Sequence, residues 1–338
     1  MTETERDRGG RAARTPAPAG RDVPGAPRPT LAFVGAGRAG GALAAALHAA
    51  GHPVLAISGR GAEAASALAR TVRARVVATP LEAVLAADVT FLTVPDAAIG
   101  DVAAELAASP AGLSGRGVVH CSASLGIEAL AGLRARGAVV GCLHPLQALA
   151  GVGSAPQLTG SLMLIDADAA LQEPLRGLAR ALGGRAVQLP AGSRTLYHAA
   201  AVLAGNAPLA LLHAATELLV AAGLETATAE RGLLTLMEGA LANARSAGPD
   251  EALTGPVVRG EAATVAAHLA ALRDHPDAGA LYRAVSLELV RLAGVDGREE
   301  IVELLNDDRR GDVGVRAERT AARHHTHVPF MTEEQRCP

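Results

Sequence analysis

The residues best suited to chemistry are three spaced glycines. Gly35-Ala36-Gly37-Arg38-Ala39-Gly40 follows the apolar run Leu31-Ala32-Phe33-Val34 and leads into an Ala-rich segment reaching Ala50. Glycine at the first, third and sixth places keeps Cβ atoms away from the backbone N–H groups at a helix start, where a pyrophosphate can then sit. Gly51-His52 ends the helical pattern and Val54 to Ile57 reads as a second strand, so the segment has the length of a βαβ unit. Strand, glycine loop and helix in that order predict a Rossmann-type dinucleotide site with Gly35, Gly37, Arg38, Ala39 and Gly40 on the cofactor.

The end of the second strand then bears on which dinucleotide. An NAD site usually places Asp or Glu there for the ribose 2′-hydroxyl, whereas this chain reads Ser58-Gly59-Arg60. Arg60 can pair with a 2′-phosphate and Ser58 can hydrogen-bond it, which favours NADP over NAD.

Other polar residues fall at the ends of predicted strands, the edge at which open α/β sheets take ligands. Val94-Pro95-Asp96, His120-Cys121-Ser122-Ala123-Ser124 and Leu143-His144-Pro145-Leu146-Gln147 all lie there. Val94, Pro95 and Ser122 are expected along the cofactor, His144 at its reactive end and Gln147 on a substrate. Two Cys and two His at positions 120, 121, 142 and 144 suggest zinc only superficially, because adjacent residues on a strand face opposite ways; no metal is expected.

His198 and Asn206 lie on one long helical pattern, eight residues and so about 80° apart in azimuth. His198 is a candidate proton donor, Asn206 a candidate orienting group and His144 a third catalytic candidate. Arg259, beside a helix start at Glu261, can fork onto a substrate carboxylate or phosphate, or pair with a neighbouring acid.

The elements that must position these groups alternate. Strands are expected at 31–34, 54–57, 75–78, 89–94, 117–120, 139–143, 161–165 and 186–189, with helices at 40–50, 61–70, 97–108 and 168–182, an α/β doubly wound sheet. Beyond Pro190-Ala191-Gly192-Ser193 the pattern turns wholly helical: 194–222 with a kink at Pro208, then 226–246, 261–273 and 278–293. The expected organisation is a tail at 1–29, a Rossmann-like domain at 30–190, an all-α domain at 191–306 for substrate and dimerisation, and a tail at 307–338. Both tails mix charge, Gly and Pro without periodicity and are expected to be disordered; His324-His325-Thr326-His327 in the second is read as solvated.

Composition narrows the function classes. The 338 residues are 49% hydrophobic, yet no apolar run reaches about 18 residues without polar breaks, so no membrane span is expected. A net charge of −3, two Tyr, three Phe and no Trp supply neither the field nor the stacking surface for nucleic acid. Three scattered Cys and no secretory segment place the protein in the cytoplasm. The 194–222 helix is apolar nearly all round and must be buried, so a homodimer through the C-terminal domain is expected.

Taken together, VPDAAI, VVHCSASLG, GCLHPLQAL, YHAAAVLAGNAPLAL and ALTGPVVRGEAATVAAHLAAL, spread over 31–295, resemble a family of oxidoreductases with a Rossmann-like N-terminal domain and a C-terminal domain of unknown function. That family is related to pyrroline-5-carboxylate reductase and 6-phosphogluconate dehydrogenase-like proteins. The resemblance implies NADP-linked reduction of a small carbonyl or imine compound, with a ketopantoate-like 2-oxo acid a candidate. The hydroxyisobutyrate dehydrogenase branch of the wider group carries a helical catalytic lysine, and 193–222 contains none. A non-catalytic NADP(H)-binding protein that senses redox state or scaffolds a partner is the alternative reading.

Overall fold

The computed structural model describes residues 28–294 and 296–307. Most of both expected tails, with the His324 run, lies outside the described residues. Eight strands form one sheet: β1 (Leu31–Val34), β2 (Val54–Ser58), β3 (Arg75–Val76), β4 (Val89–Leu92), β5 (Gly117–His120), β6 (Val139–Pro145), β7 (Leu162–Ala167) and β8 (Arg185–Val187). The helices between and after them are α1 (Arg38–Ala49), α2 (Ala62–Val72), α3 (Pro80–Ala86), α4 (Asp96–Ala108), α5 (Ala131–Arg134), α6 (Ala169–Ala181) and α7 (Arg194–Gly205). α8 (Ala207–Ala221), α9 (Thr226–Ala247), α10 (Pro249–Ala252), α11 (Ala262–Ala271), α12 (Pro276–Ala293) and α13 (Glu299–Asn306) complete the chain.

The sheet order is β3-β2-β1-β4-β5-β6-β7-β8, parallel throughout except for the antiparallel β6–β7 pair. The expected doubly wound α/β fold is therefore present, and its winding reverses between β1 and β4, where such sheets open a crevice at their carboxyl ends. Phe33 and Phe91, Cα partners across these two strands, stack with ring centroids 5.1 Å apart. The pair is worth about 1 kcal/mol beyond its burial and locks the register beneath the crevice. Apolar side chains fill both faces of the sheet: Leu43, Leu47 and Leu175 on one, Ile99, Leu106 and Leu130 on the other.

Helix α3 was not expected from periodicity, although its start is written in Thr79-Pro80-Leu81-Glu82. The Glu82 N–H donates to Thr79 Oγ1 at 3.2 Å, the Thr79 hydroxyl donates to the Glu82 carboxylate at 3.1 Å, and Pro80 opens the first turn. This is a capping box, and it suffices for a seven-residue helix too short to show a periodic stripe.

By packing, the described residues form two units divided between Ala207 and Pro208. The division falls one helix later than 190/191 because α7 is bonded to the sheet: Arg194 pairs with Asp166 of β7 at 2.9 Å and Tyr197 with His144 of β6 at 2.8 Å. The long helix expected over 194–222 is interrupted at Asn206, where α7 ends and α8 begins. Pro208 accounts for the site of the break, since its ring conflicts with the carbonyl four residues earlier.

Burial of this stretch on most faces, expected from its apolarity, is not met within one chain. Leu196, Leu203 and Leu209 are 75%, 71% and 63% exposed. Arg194–Ala221 is also long and apolar enough to cross a membrane by length and composition, with a mean hydropathy of 1.4, which the reading of its polar breaks did not anticipate. Its first turn is held by protein, through Arg194 and Tyr197. The second unit has a small core of Val257, Val265, Val290, Ile301 and Leu305.

The crevice depends on a close approach that only glycine allows. A Cβ on Gly40 would lie 2.2 Å from the Gly35 carbonyl oxygen and 2.5 Å from Thr93 Oγ1, both fixed by the sheet. Gly40→Ala is expected to lower unfolding stability by about 2 kcal/mol or more, read by urea denaturation.

Candidate functional site

The glycine loop is braced from both neighbouring strands. The Gly35 N–H donates to the Ser58 carbonyl at 2.8 Å, the Thr93 N–H to the Val34 carbonyl at 2.8 Å, and the Thr93 hydroxyl to the Gly35 carbonyl at 2.7 Å. Gly35 sits at φ +111°, a conformation that L side chains rarely adopt, and a Cβ there would meet the Thr93 carbonyl at 2.6 Å. Gly37 differs: a Cβ on it would have no described atom within 4 Å. Packing thus explains Gly35 and Gly40, while Gly37 leaves space that the protein does not use. Gly37 precedes α1, whose first turn carries no acidic residue and no side-chain cap, so its N–H groups and dipole face this space.

Gly37 lines a cleft of about 620 Å³. Gly35, Gly37, Ser58, Arg60, Val94 and Pro95 all line it, which brings six of the sequence-derived cofactor residues together. Ala78 and Pro80 line it as well, together with Asp101 and Glu105 of α4. Gly40 lies buried behind the loop, and Arg38 borders a shallower cavity of about 420 Å³ on the α2 side. Ala39 sits in the first turn of α1, half-buried.

Ser122 is placed differently. It is buried, and its hydroxyl donates to Asp96 at 2.6 Å while accepting from the Ser124 and Leu125 N–H groups. Ser124 also donates to Asp96, at 2.8 Å. Asp96 follows Pro95 of the cleft wall, so Ser122 braces that wall from behind. His120 belongs to the same support: its Nδ1 accepts from the Ser122 N–H at 3.2 Å, leaving Nε2–H to donate to the Gly126 carbonyl at 3.2 Å. Burial pushes its pKa down.

A second polar cluster stands at the ends of β6 and β7. Cys142 and Asp166 are Cα partners across the antiparallel pair, and His144 lies two residues beyond Cys142 on the same face. Arg194 and Tyr197, three apart and therefore neighbours on α7, reach into this cluster. Besides its bond to Asp166, Arg194 approaches Cys142 Sγ at 3.6 Å. Burial raises the Cys142 thiol to about 11 despite the guanidinium, so it stays protonated. Burial, reinforced by His198, lowers His144 to about 4, and burial raises the Tyr197 phenol to about 12. The cluster is thus a neutral imidazole bonded to a protonated phenol.

His198, next to Tyr197, and Asn206, at the end of α7, are both exposed. Gln147 spans its own loop: its amide donates to the Gln157 carbonyl at 2.8 Å and its carbonyl accepts from the Ala148 N–H at 2.9 Å. Arg259, in the second unit, is engaged with Glu261, with Nε to carboxylate at 2.5 Å. Among the described residues no group of three or more His, Cys, Asp and Glu is placed to hold a metal ion. The residues that sequence reasoning missed are Thr93, Asp166, Arg194 and Tyr197. Of these only Tyr197 carried a signal, as one of two tyrosines in the chain and the immediate neighbour of His198.

Sheet order, glycine loop and cleft define a Rossmann-type first unit. Residues 17–145 match the Rossmann-like domain family and residues 161–289 match the domain of unknown function DUF2520. No curated protein matches the chain. Among solved structures it is similar to a candidate NADP oxidoreductase from Bacteroides fragilis, at 22% identity and TM-score 0.63 over 77% of this chain and 97% of the other. An imine reductase from Pseudomonas sp. matches at 17% identity and TM-score 0.53, covering 84% and 94%. A 1-pyrroline-5-carboxylate reductase from Streptococcus pyogenes matches at 15% and 0.53, covering 83% and 98%. At these identities the likeness is one of fold.

The depressed His144 pKa has a sign that can be checked. The unfolded chain binds a proton near pH 6.5 and the folded chain near 4, so stability is fully present above about 6.5 and declines as pH falls towards 4. The loss at pH 4 is about 3 kcal/mol from this residue, with a further part in the same direction from His120. Urea unfolding measured from pH 7 to 4 should show this slope, and His144→Phe should flatten part of it.

Proposed function

We propose that the chain is an NADP(H)-dependent oxidoreductase that reduces a small carbonyl or imine compound, a ketopantoate-like 2-oxo acid being one candidate. The observation that carries this reading is a single cleft lined both by Gly37, which leaves space unused, and by Ser58 with Arg60. The first suits a pyrophosphate and the second suits a 2′-phosphate, with no carboxylate at the strand end to repel it. The residues present therefore fit NADP(H), which supplies hydride when bound. The activities of the similar solved structures agree in kind: imine reductase, pyrroline-5-carboxylate reductase and a reductive aminase in complex with NADPH. His144, His198 and Asn206 are assigned to the reacting end. The protein works in the cytoplasm on a small-molecule substrate.

Calorimetry on the full chain tests the cofactor. NADPH is expected to bind about tenfold or more tightly than NADH, from charge-assisted bonds to one phosphate. Arg60→Ala should erase that difference, and equal affinities in the unmodified chain would refute the assignment. Gly37→Ala should weaken both nucleotides while leaving the melting temperature unchanged, because its Cβ meets no protein atom. Tight NADPH binding with no turnover on 2-oxo acids and cyclic imines would favour a non-catalytic redox sensor or scaffold.

The same reading includes a homodimer. Besides Leu196, Leu203 and Leu209, the large apolar side chains Leu236 and Leu241 of α9 are 68% and 67% exposed, and a contact between copies would cover such side chains. Light scattering is expected to give the mass of two chains, with Leu236→Asp and Leu241→Asp together shifting it to one; a single-chain mass for the unmodified protein refutes the dimer.

A further inference from the structure

Reduction of a C=O or C=N bond consumes a hydride and a proton, and the proton needs a donor. Lysine is excluded, because none of the 338 residues is lysine. Tyrosine is scarce, since the chain has two, and both hydroxyls are bonded to a histidine Nδ1: Tyr197 to His144 at 2.8 Å and Tyr282 to His268 at 2.9 Å. The ring pairs have the same edge-on geometry, with interplanar angles of 85° and 88°. Their settings differ. Tyr282 joins α12 to α11 and packs on the core of the second unit. Tyr197 meets a histidine at the carboxyl end of the sheet, in the cluster that also holds the Arg194 guanidinium.

We propose that Tyr197 is the acid that protonates the substrate heteroatom, and that His144 holds its hydroxyl in place and reloads it. The inference rests on the reductase reading above and replaces His198 as the donor. NADPH would supply the hydride when bound, and the carbonyl oxygen or imine nitrogen of the substrate would then hold the electron pair of the former π bond. That atom takes the Tyr197 hydroxyl proton. The phenolate oxygen takes the proton from His144 Nδ1, and His144 Nε2 takes one from a buffer acid or hydronium, so the net uptake is one hydride and one solvent proton. Arg194 stabilises the transient negative charge on the phenolate. A neutral imidazole is required, since a relay must both give and receive, and the burial that holds His144 neutral at pH 7 provides it.

Two measurements test this. The first needs no substrate: the relay requires the proton on Nδ1 of His144 with Tyr197 Oη as acceptor, so ¹⁵N NMR of the cofactor-free full chain, assigned by loss of the signal in His144→Phe, should show a protonated Nδ1. A protonated Nε2, with the phenol donating to Nδ1, overturns the relay. The second uses NADPH with a panel of 2-oxo acids and cyclic imines. Tyr197→Phe should lower kcat by about 100-fold or more with NADPH affinity unchanged, whereas Tyr282→Phe should keep kcat within about threefold. Tyr197→Phe turning over at the unmodified rate overturns the proposal and leaves the reductase reading intact. NADPH binding with no compound in the panel reduced removes the reductase reading, and this inference falls with it.

Discussion

One hydrogen bond organises the glycine-loop end of the sheet: the Thr93 hydroxyl to the Gly35 carbonyl, at 2.7 Å. It draws the loop after β1 against the end of β4 so closely that side chains at Gly35 and Gly40 have no room, which is why two of the three glycines are there. With the loop clamped, α1 starts at a set point and aims its uncapped N–H groups into the cleft. The Phe33–Phe91 stack below and the Asp96–Ser122–Ser124 bonds beside it hold the same two strands and the helix after β4. The loop owes its shape to the sheet, and the space above Gly37 is what remains.

A second constraint acts at the far edge of the sheet. β7 runs antiparallel to β6, so the carboxyl end of β6 faces the start of β7 while Asp166, near the end of β7, pairs with Cys142. This supplies Arg194 with a carboxylate and fastens α7 to the sheet by its first turn. The ion pair is partly buried, with side-chain exposures of 16% for Arg194 and 44% for Asp166. Its value is chiefly positional, because desolvation offsets much of the attraction. The outcome is that Tyr197 and His144, far apart in sequence, share a bond in a region dry enough to keep both uncharged.

The apolar helices after α7 show the reverse balance. α9, with 22 residues, has one buried residue, and α8 likewise one. Little of the apolar burial that offsets the entropy of ordering a helix is therefore found along these two helices.

The sequence by itself determined the fold class, all eight strands and the glycine loop, because strand period, Gly position and the run Ser58-Gly59-Arg60 are local properties that neighbours in the chain express directly. It also contained the capping box of α3, which a search for periodicity passes over. What only the tertiary structure decided is which polar residues meet. Ser122, Gln147 and Arg259 are bonded within their own surroundings, whereas Arg194, Asp166 and Thr93, unremarkable in sequence, hold the cleft and the cluster in shape. The reason is physical: a hydrogen bond between residues 53 positions apart, as for His144 and Tyr197, is set by strand order and helix attachment, and neither leaves a mark in the spacing of the residues themselves.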